Sequence, residues 1–393
     1  MFEQIGNPIV YWALRLLLLA ILINSGWNIS YKDKDGSNFW TNALPSIIAY
    51  SLIQGLRWNR GADYPHYYQD LTGKLVTDYK ESVYLLWIDF FRWTGMPGSV
   101  GFVFYSFLLI FAFCCVLKYF RKGAIWALPL FLLMTNAAEN IIRQYFAVSF
   151  VLFAYYYYLR GINYRKQMWL CLIIVPMIHL SGLFADVIFL ICIYAHKIRL
   201  DFKWKLWCLY PLLGLYLYVY FFWDTHNFSD VVDFLSSLEV GDDTYRGLYV
   251  TNSERWFTEE GSITYVLTGK AAVRTISFLN QITFFLSNVI MICGGYLLLN
   301  RDLRFLPVFW FTYLAVILKA IGGDIEIYAR FYNWLIYLAP IACGLILVEK
   351  LPSKYKFIEM AVSVIFMIYF GFYGVLRQIG SMGYAGCAFI WDK

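Results

Sequence analysis

The chain has 393 residues, of which 61% are hydrophobic and only 15% charged. A soluble domain of this length carries about 25% charge, so the water-soluble classes are excluded. The net charge of +6 does not mark a nucleic-acid surface, because the basic residues fall in short loops between apolar runs.

Apolar runs recur along most of the sequence, many near the roughly 20 residues that cross a hydrocarbon core. They predict an all-α, polytopic integral membrane protein, a single membrane domain over 1–393 with about twelve spans. In chain order the spans are 8–30, 42–56, 97–117, 124–138, 141–159, 167–180, 182–196, 204–223, 275–299, 304–320, 331–348 and 356–377. The first contains Arg15 and lacks a basic leader, so it is read as a retained helix rather than a signal peptide. Five spans (42–56, 124–138, 167–180, 182–196 and 304–320) are shorter than about 18 residues and are expected to be tilted, re-entrant or broken. Between the second and third spans, Glu81 to Thr94 mixes charge with Leu, Trp and Phe, as an interfacial amphipathic helix does.

Orientation follows from lysine and arginine in the short loops. Six basic groups begin at Lys32, Lys118, Arg160, Lys197, Arg301 and Lys350, and all fall on one side if the spans are right. That side is expected to be cytoplasmic, with both termini outside. Every unusual polar cluster then falls on the outer side. These clusters are Arg57–Tyr68, Asn136–Arg143, His179 to Ser181, the long loop Asp224–Arg274 and Asp324–Arg330.

Arg57 to Tyr68 crowds two arginines, a carboxylate, an imidazole and several aromatics at a membrane edge, where Gly61 and Pro65 stop a plain helix. Arg57 and Arg60 fit a diphosphate, because a guanidinium is always charged and presents a planar fork to phosphate oxygens. Equally, they fit interfacial anchors that snorkel to water. Asp63 can orient a hydroxyl, bind a metal or pair with an arginine; the plainer reading is a turn residue. Tyr64, Tyr67 and Tyr68 supply aromatic surface for a sugar. Arg143, with Gln144 beside it, lies where an apolar helix begins, and a charge there is by default a functional candidate. Its bland alternative is an i,i+4 pair with Glu139. His179 sits between two short spans with Ser181 near it, as a general base or as a satisfied core histidine. Ser181 lacks the elbow motif of a nucleophile. Arg330 either is neutralised by Asp324 and Glu326 or closes an anion site that includes Asp324. The eight cysteines form no CxxC or Cys/His pattern, so neither a disulfide framework nor a metal site is expected, and no cofactor is called for.

Taken together, Arg57 with Gly61 to Tyr68, then Arg143-Gln144, then His179 to Ser181, then Ala329 to Tyr332 resemble the EpsG-like family of Wzy-type exopolysaccharide and O-antigen polymerases. The resemblance runs in order over most of the chain. It implies a glycosyltransferase-type enzyme of the bacterial inner membrane whose site faces the periplasm or exterior. Its implied substrates are undecaprenyl-diphosphate-linked glycans, as donor and as acceptor. The implied partners are the lipid bilayer and a chain-length regulator and flippase of the same pathway, with no nucleic acid. Three alternatives remain open on the residues alone: a lipid-linked oligosaccharide flippase or other transporter, a polyprenyl-phosphate-sugar glycosyltransferase using Asp63, and an acyltransferase using His179.

Overall fold

The computed structural model describes residues 6–61, 63–73, 81–197, 206–223, 278–322, 326–349, 356–367 and 387–392. The long loop Asp224–Arg274 and Asp324 lie outside the described residues. Among those residues every regular element is a helix, and the only pairing of extended backbone is an isolated bridge between Arg57 and Phe389.

The helices are α1 Pro8–Trp27, α2 Phe39–Gly55, α3 Tyr64–Thr72, α4 Ser82–Thr94, α5 Gly98–Leu117, α6 Ala124–Met134, α7 Ile142–Arg160 and α8 Arg165–Ile178. They continue with α9 Leu183–Lys197, α10 Leu209–Phe222, α11 Phe278–Arg301, α12 Leu306–Gly322, α13 Glu326–Asn333, α14 Ala339–Val348 and α15 Lys356–Met367. Each predicted span overlaps one or two of these helices. Five stretches are long and apolar enough to cross a membrane: Pro8–Lys32, Gly98–Met134, Gln281–Leu299, Leu303–Gly322 and Tyr328–Val348. Leu180–Tyr194 and Leu209–Phe222 are apolar but shorter.

Helix ends follow local chemistry. Asn7 caps α1 by accepting from the Ile9 N–H at 2.9 Å, and Pro8 follows, where its missing N–H costs nothing. The predicted span 124–138 stops early, at Met134. Thr135 Oγ1 donates to the Phe131 carbonyl (2.6 Å) and Asn136 Nδ2 to the Leu133 carbonyl (2.9 Å), offering the backbone an alternative to helix. The predicted span 331–348 is not continuous either. It breaks after Asn333, whose amide turns back to the Ala329 carbonyl (2.7 Å), and Pro340 restarts a helix at α14.

In lipid, where apolar surface alone does not drive helices together, close packing and polar contacts must hold the bundle. α2 packs on α5, α5 and α8 on α7, and α6 on α1 and α14. At the α6–α14 contact, a Cβ on Gly344 would lie 2.5 Å from the Gly123 carbonyl oxygen, so only glycine permits that approach. Phe113 stacks on Phe131 at 4.1 Å in the centre.

The two ends of the bundle differ in kind. At one end the basic loops meet. Arg121 donates to the Lys34 carbonyl (2.7 Å), Tyr155 to the Arg304 carbonyl (2.6 Å), and Arg160 lies over Tyr156. At the other end are Arg57–Arg60, Glu139 and both described chain ends. A Cβ on Gly6 would strike the Ala388 main chain at 2.5 Å, and the Ala388 carbonyl accepts from the Trp58 N–H at 2.9 Å. The expected separation of basic loops from polar clusters is therefore present among the described residues.

Candidate functional site

The polar end is built in two layers. The inner layer begins where α2 stops at Gly55. Asn59 takes φ 45° and Gly61 φ 99°, turning the chain back across the bundle. The turn docks on the segment between α6 and α7, where the Asp63 N–H donates to Asn140 Oδ1 at 2.9 Å. On its other side the segment Cys387–Asp392 returns and pairs with it, the Ile390 N–H donating to the Leu56 carbonyl at 3.0 Å. Enclosed in this way, Arg57 and Arg60 are only 2% and 1% exposed.

Glu139 is the hub of this layer. Its carboxylate takes Arg15 at 2.9 Å and Arg60 at 3.4 Å. Gln54, its amide oriented to satisfy both neighbours, accepts from Arg15 (3.0 Å) and donates to Glu139. Burial opposes the charge on Glu139, but Arg60, Arg15 and Arg57 together hold its carboxyl below the ordinary range. The Arg60 guanidinium lies between the Tyr11 ring (4.7 Å) and the Phe389 ring (4.8 Å). Arg57 is placed over Phe102 (5.3 Å) and Tyr64 (5.8 Å). Tyr64 stacks on Phe102 at 4.4 Å and is 1% exposed, and half-buried Tyr68 closes the stack against Trp58 at 5.0 Å.

The outer layer holds the other predicted residues. Arg143, in the first turn of α7, pairs with Glu81 at 3.3 Å and lies over the Tyr84 ring at 5.5 Å. The alternative pair with Glu139 does not form. Glu139 ends a 3-10 turn and Ile141, at ψ 60°, leaves the helical path before α7 begins, so 139 and 143 are not one helical turn apart. Gln144 Nε2 donates to the Arg330 carbonyl (2.9 Å) and Tyr145 Oη to Asn333 Oδ1 (3.1 Å), which fixes α13, and with it Arg330, beside α7.

His179 sits at the break between α8 and the turn leading to α9, with extended backbone at φ −154°. Burial, then Arg143, then Arg330 push its imidazole well below the usual range, so the ring is neutral at physiological pH. Ser181 Oγ lies 3.0 Å from His179 Nδ1 and accepts from Trp334 Nε1 at 3.1 Å. The same two arginines act on Tyr67, whose phenol burial pushes up to about 12 against Arg143, with Asp63 raising and Arg330 lowering it. The structure thus gathers Arg143, Gln144, Arg330, His179, Ser181, Tyr67 and Asp63 into one neighbourhood, and sets Arg57, Arg60 and Tyr64 in a separate, enclosed layer.

Reading the sequence by itself passed over Arg15, Gln54, Glu81, Trp334 and the Cys387–Asp392 segment. Arg15 carried a signal, being a charge inside an apolar span. The tail segment carried none. Among the described residues no group of three or more His, Cys, Asp or Glu is placed to hold a metal ion.

A helical bundle with apolar spans, one basic end and one arginine-rich, aromatic end defines a polytopic membrane protein. The EpsG family model matches residues 43–380, nearly the whole chain, and the chain belongs to that family of Wzy-type polysaccharide polymerases. No curated protein and no solved structure matches it.

Proposed function

We propose that this protein polymerises undecaprenyl-diphosphate-linked oligosaccharide repeat units in exopolysaccharide, capsule or O-antigen synthesis. It moves the growing glycan from its lipid carrier onto the non-reducing end of a new unit. The family supports the polymerase class. The observation that carries the finer reading is that Gln144 Nε2 donates to the Arg330 carbonyl at 2.9 Å, tying α13 to α7 so that Arg143 and Arg330 both lie near His179.

In the reaction, the bond from the donor's anomeric carbon to the diphosphate oxygen breaks. The acceptor hydroxyl oxygen bonds to that carbon, and its proton passes to His179. Arg143 and Arg330 hold the departing diphosphate, fixed positive charge where negative charge develops. Trp334 occupies one lone pair of Ser181 Oγ. The other can accept from His179 Nδ1–H, which leaves Nε2 as the basic atom. The charges of the two arginines that depress His179 are offset once a diphosphate lies between them. The base therefore gains strength only with donor in place. Gln144 and Tyr67 brace this arrangement, and the site faces the periplasm or exterior from the inner membrane.

Asp63 supports a second reading, because its charge reaches Tyr67 in the same neighbourhood and a carboxylate there can serve as the base. The two are separated in a strain lacking the gene, complemented with variants. His179→Ala should accumulate lipid-linked single repeat units at normal protein level, whereas Asp63→Ala should still polymerise. The reverse pattern assigns the base to Asp63.

A further inference from the structure

A recess lies between α2, α5 and the junction of α6 and α7. Arg57, Tyr105, Ser106, Thr135, Glu139 and Tyr145 contribute to its lining. Its interior admits a guest of roughly one water molecule. Polar lining of this kind is seldom left dry, and the charges around it say what kind of guest belongs there.

Arg57 is 2% exposed. Its guanidinium donates to two main-chain carbonyls, of Gln54 and, at 3.3 Å, of Glu139. Among the described residues no carboxylate lies within ion-pair distance of it, and its Nε has no hydrogen-bond partner. The nearest acid, Glu139, already serves Arg15 and Arg60. The end of α2 contributes about half an elementary negative charge, which does not balance a whole guanidinium. An arginine cannot escape the cost of burial by losing its proton, so the charge must be matched by something else. Tyr105, 5% exposed, lines the same recess; its hydroxyl lies near Trp87 and Tyr84 but makes no well-formed hydrogen bond among the described residues. A buried cation with an open N–H, a phenol whose O–H can still donate and a water-sized space form a receptor for a small monovalent anion.

We propose that this recess is a halide site, occupied by chloride and held by Arg57 and Tyr105. A phosphate group is too large for it, so it is distinct from the diphosphate site at Arg143 and Arg330. Binding there needs no glycan, and its failure leaves the polymerase reading untouched.

The test uses the purified full chain in detergent or nanodiscs, at constant ionic strength in sodium gluconate, chloride or bromide. Thermal midpoints should be higher in chloride and bromide than in gluconate, by on the order of 3 °C, and should saturate with halide. Tyr105→Phe should keep the fold and reduce the halide effect at least several-fold, and Arg57→Met should abolish it. Crystals soaked in bromide should show an anomalous peak beside Arg57 Nε. Equal midpoints in the three salts, a full halide effect in Tyr105→Phe, or a bromide-soaked site without an anomalous peak would each overturn the proposal. If Arg57→Met does not fold, the wild-type salt comparison and the bromide map decide alone.

Discussion

Replacing Arg143 by alanine perturbs two things at once, and the structure shows how to separate them. The guanidinium and the Glu81 carboxylate lie 3.3 Å apart with side chains 7% and 16% exposed. Removing one partner of a fully buried pair costs about 3–5 kcal/mol, because the other charge is left uncompensated. With this residual exposure the cost falls toward about 2–3 kcal/mol. That is enough to lower the protein level of Arg143→Ala by itself. Changing Glu81 to glutamine in the same chain removes the carboxylate that faced Arg143, so Arg143→Ala/Glu81→Gln should melt closer to wild type than Arg143→Ala. Transfer should not return. Losing a group that stabilises charge only in the transition state typically costs 10²–10³ in rate. Arg143→Lys should recover little, since an ammonium is a point charge without the planar fork. The assay is chain elongation from lipid-linked repeat units by purified protein, alongside thermal melting of each variant. A double variant that melts like wild type and polymerises within a few-fold of it would show that Arg143 is structural.

Three further outcomes follow. For His179, burial and the two arginines depress the imidazole, and on the proposed mechanism a bound diphosphate relieves that depression. The acid limb of kcat should therefore lie at higher pH than that of kcat/KM, and coincident limbs would remove His179 as the base; a chelator should leave both profiles unchanged. Phe389 is 1% exposed and lies 4.8 Å from Arg60. Phe389→Ala should cost about 3–5 kcal/mol, read as a clear fall in melting midpoint, and an unaltered midpoint would show that the tail segment does not brace the arginine layer. For topology, a cysteine at exposed Met96 should label from outside intact cells, whereas one at exposed Ser37 should label only after permeabilisation; the opposite pattern would invert the orientation.

The helices were legible because lipid demands long apolar runs, and the sidedness because basic loops stand apart from the other polar clusters. Both depend on local sequence. Arg143, Gln144, His179 and Arg330 stood out in the sequence as candidates, since a polar group at the edge of an apolar helix is rare and costly. What the sequence concealed was partnership across distance. The bland alternative for Arg143 was a pair with Glu139 one turn away, but Glu139 binds Arg15, 124 residues earlier. The backbone between 139 and 143 leaves the helix, and a spacing rule cannot see that departure. Arg57 and Arg60 read as surface arginines until the tail closed over them, Arg60 donating to the Ala388 carbonyl 328 residues away. The twelve residues from Arg57 to Tyr68 therefore divide. Tyr67 lies near Arg143, Asp63 and Arg330, while Arg57, Arg60 and Tyr64 are enclosed among Glu139, Phe102 and Phe389.

The most direct measurement is reconstitution of the purified protein in liposomes with a synthetic undecaprenyl-diphosphate repeat unit. A ladder of lengthened glycans, with one undecaprenyl diphosphate released for each bond formed and loss of both in His179→Ala, is the predicted result. Movement of the unit across the bilayer without any lengthening would contradict it and would make the chain a transporter.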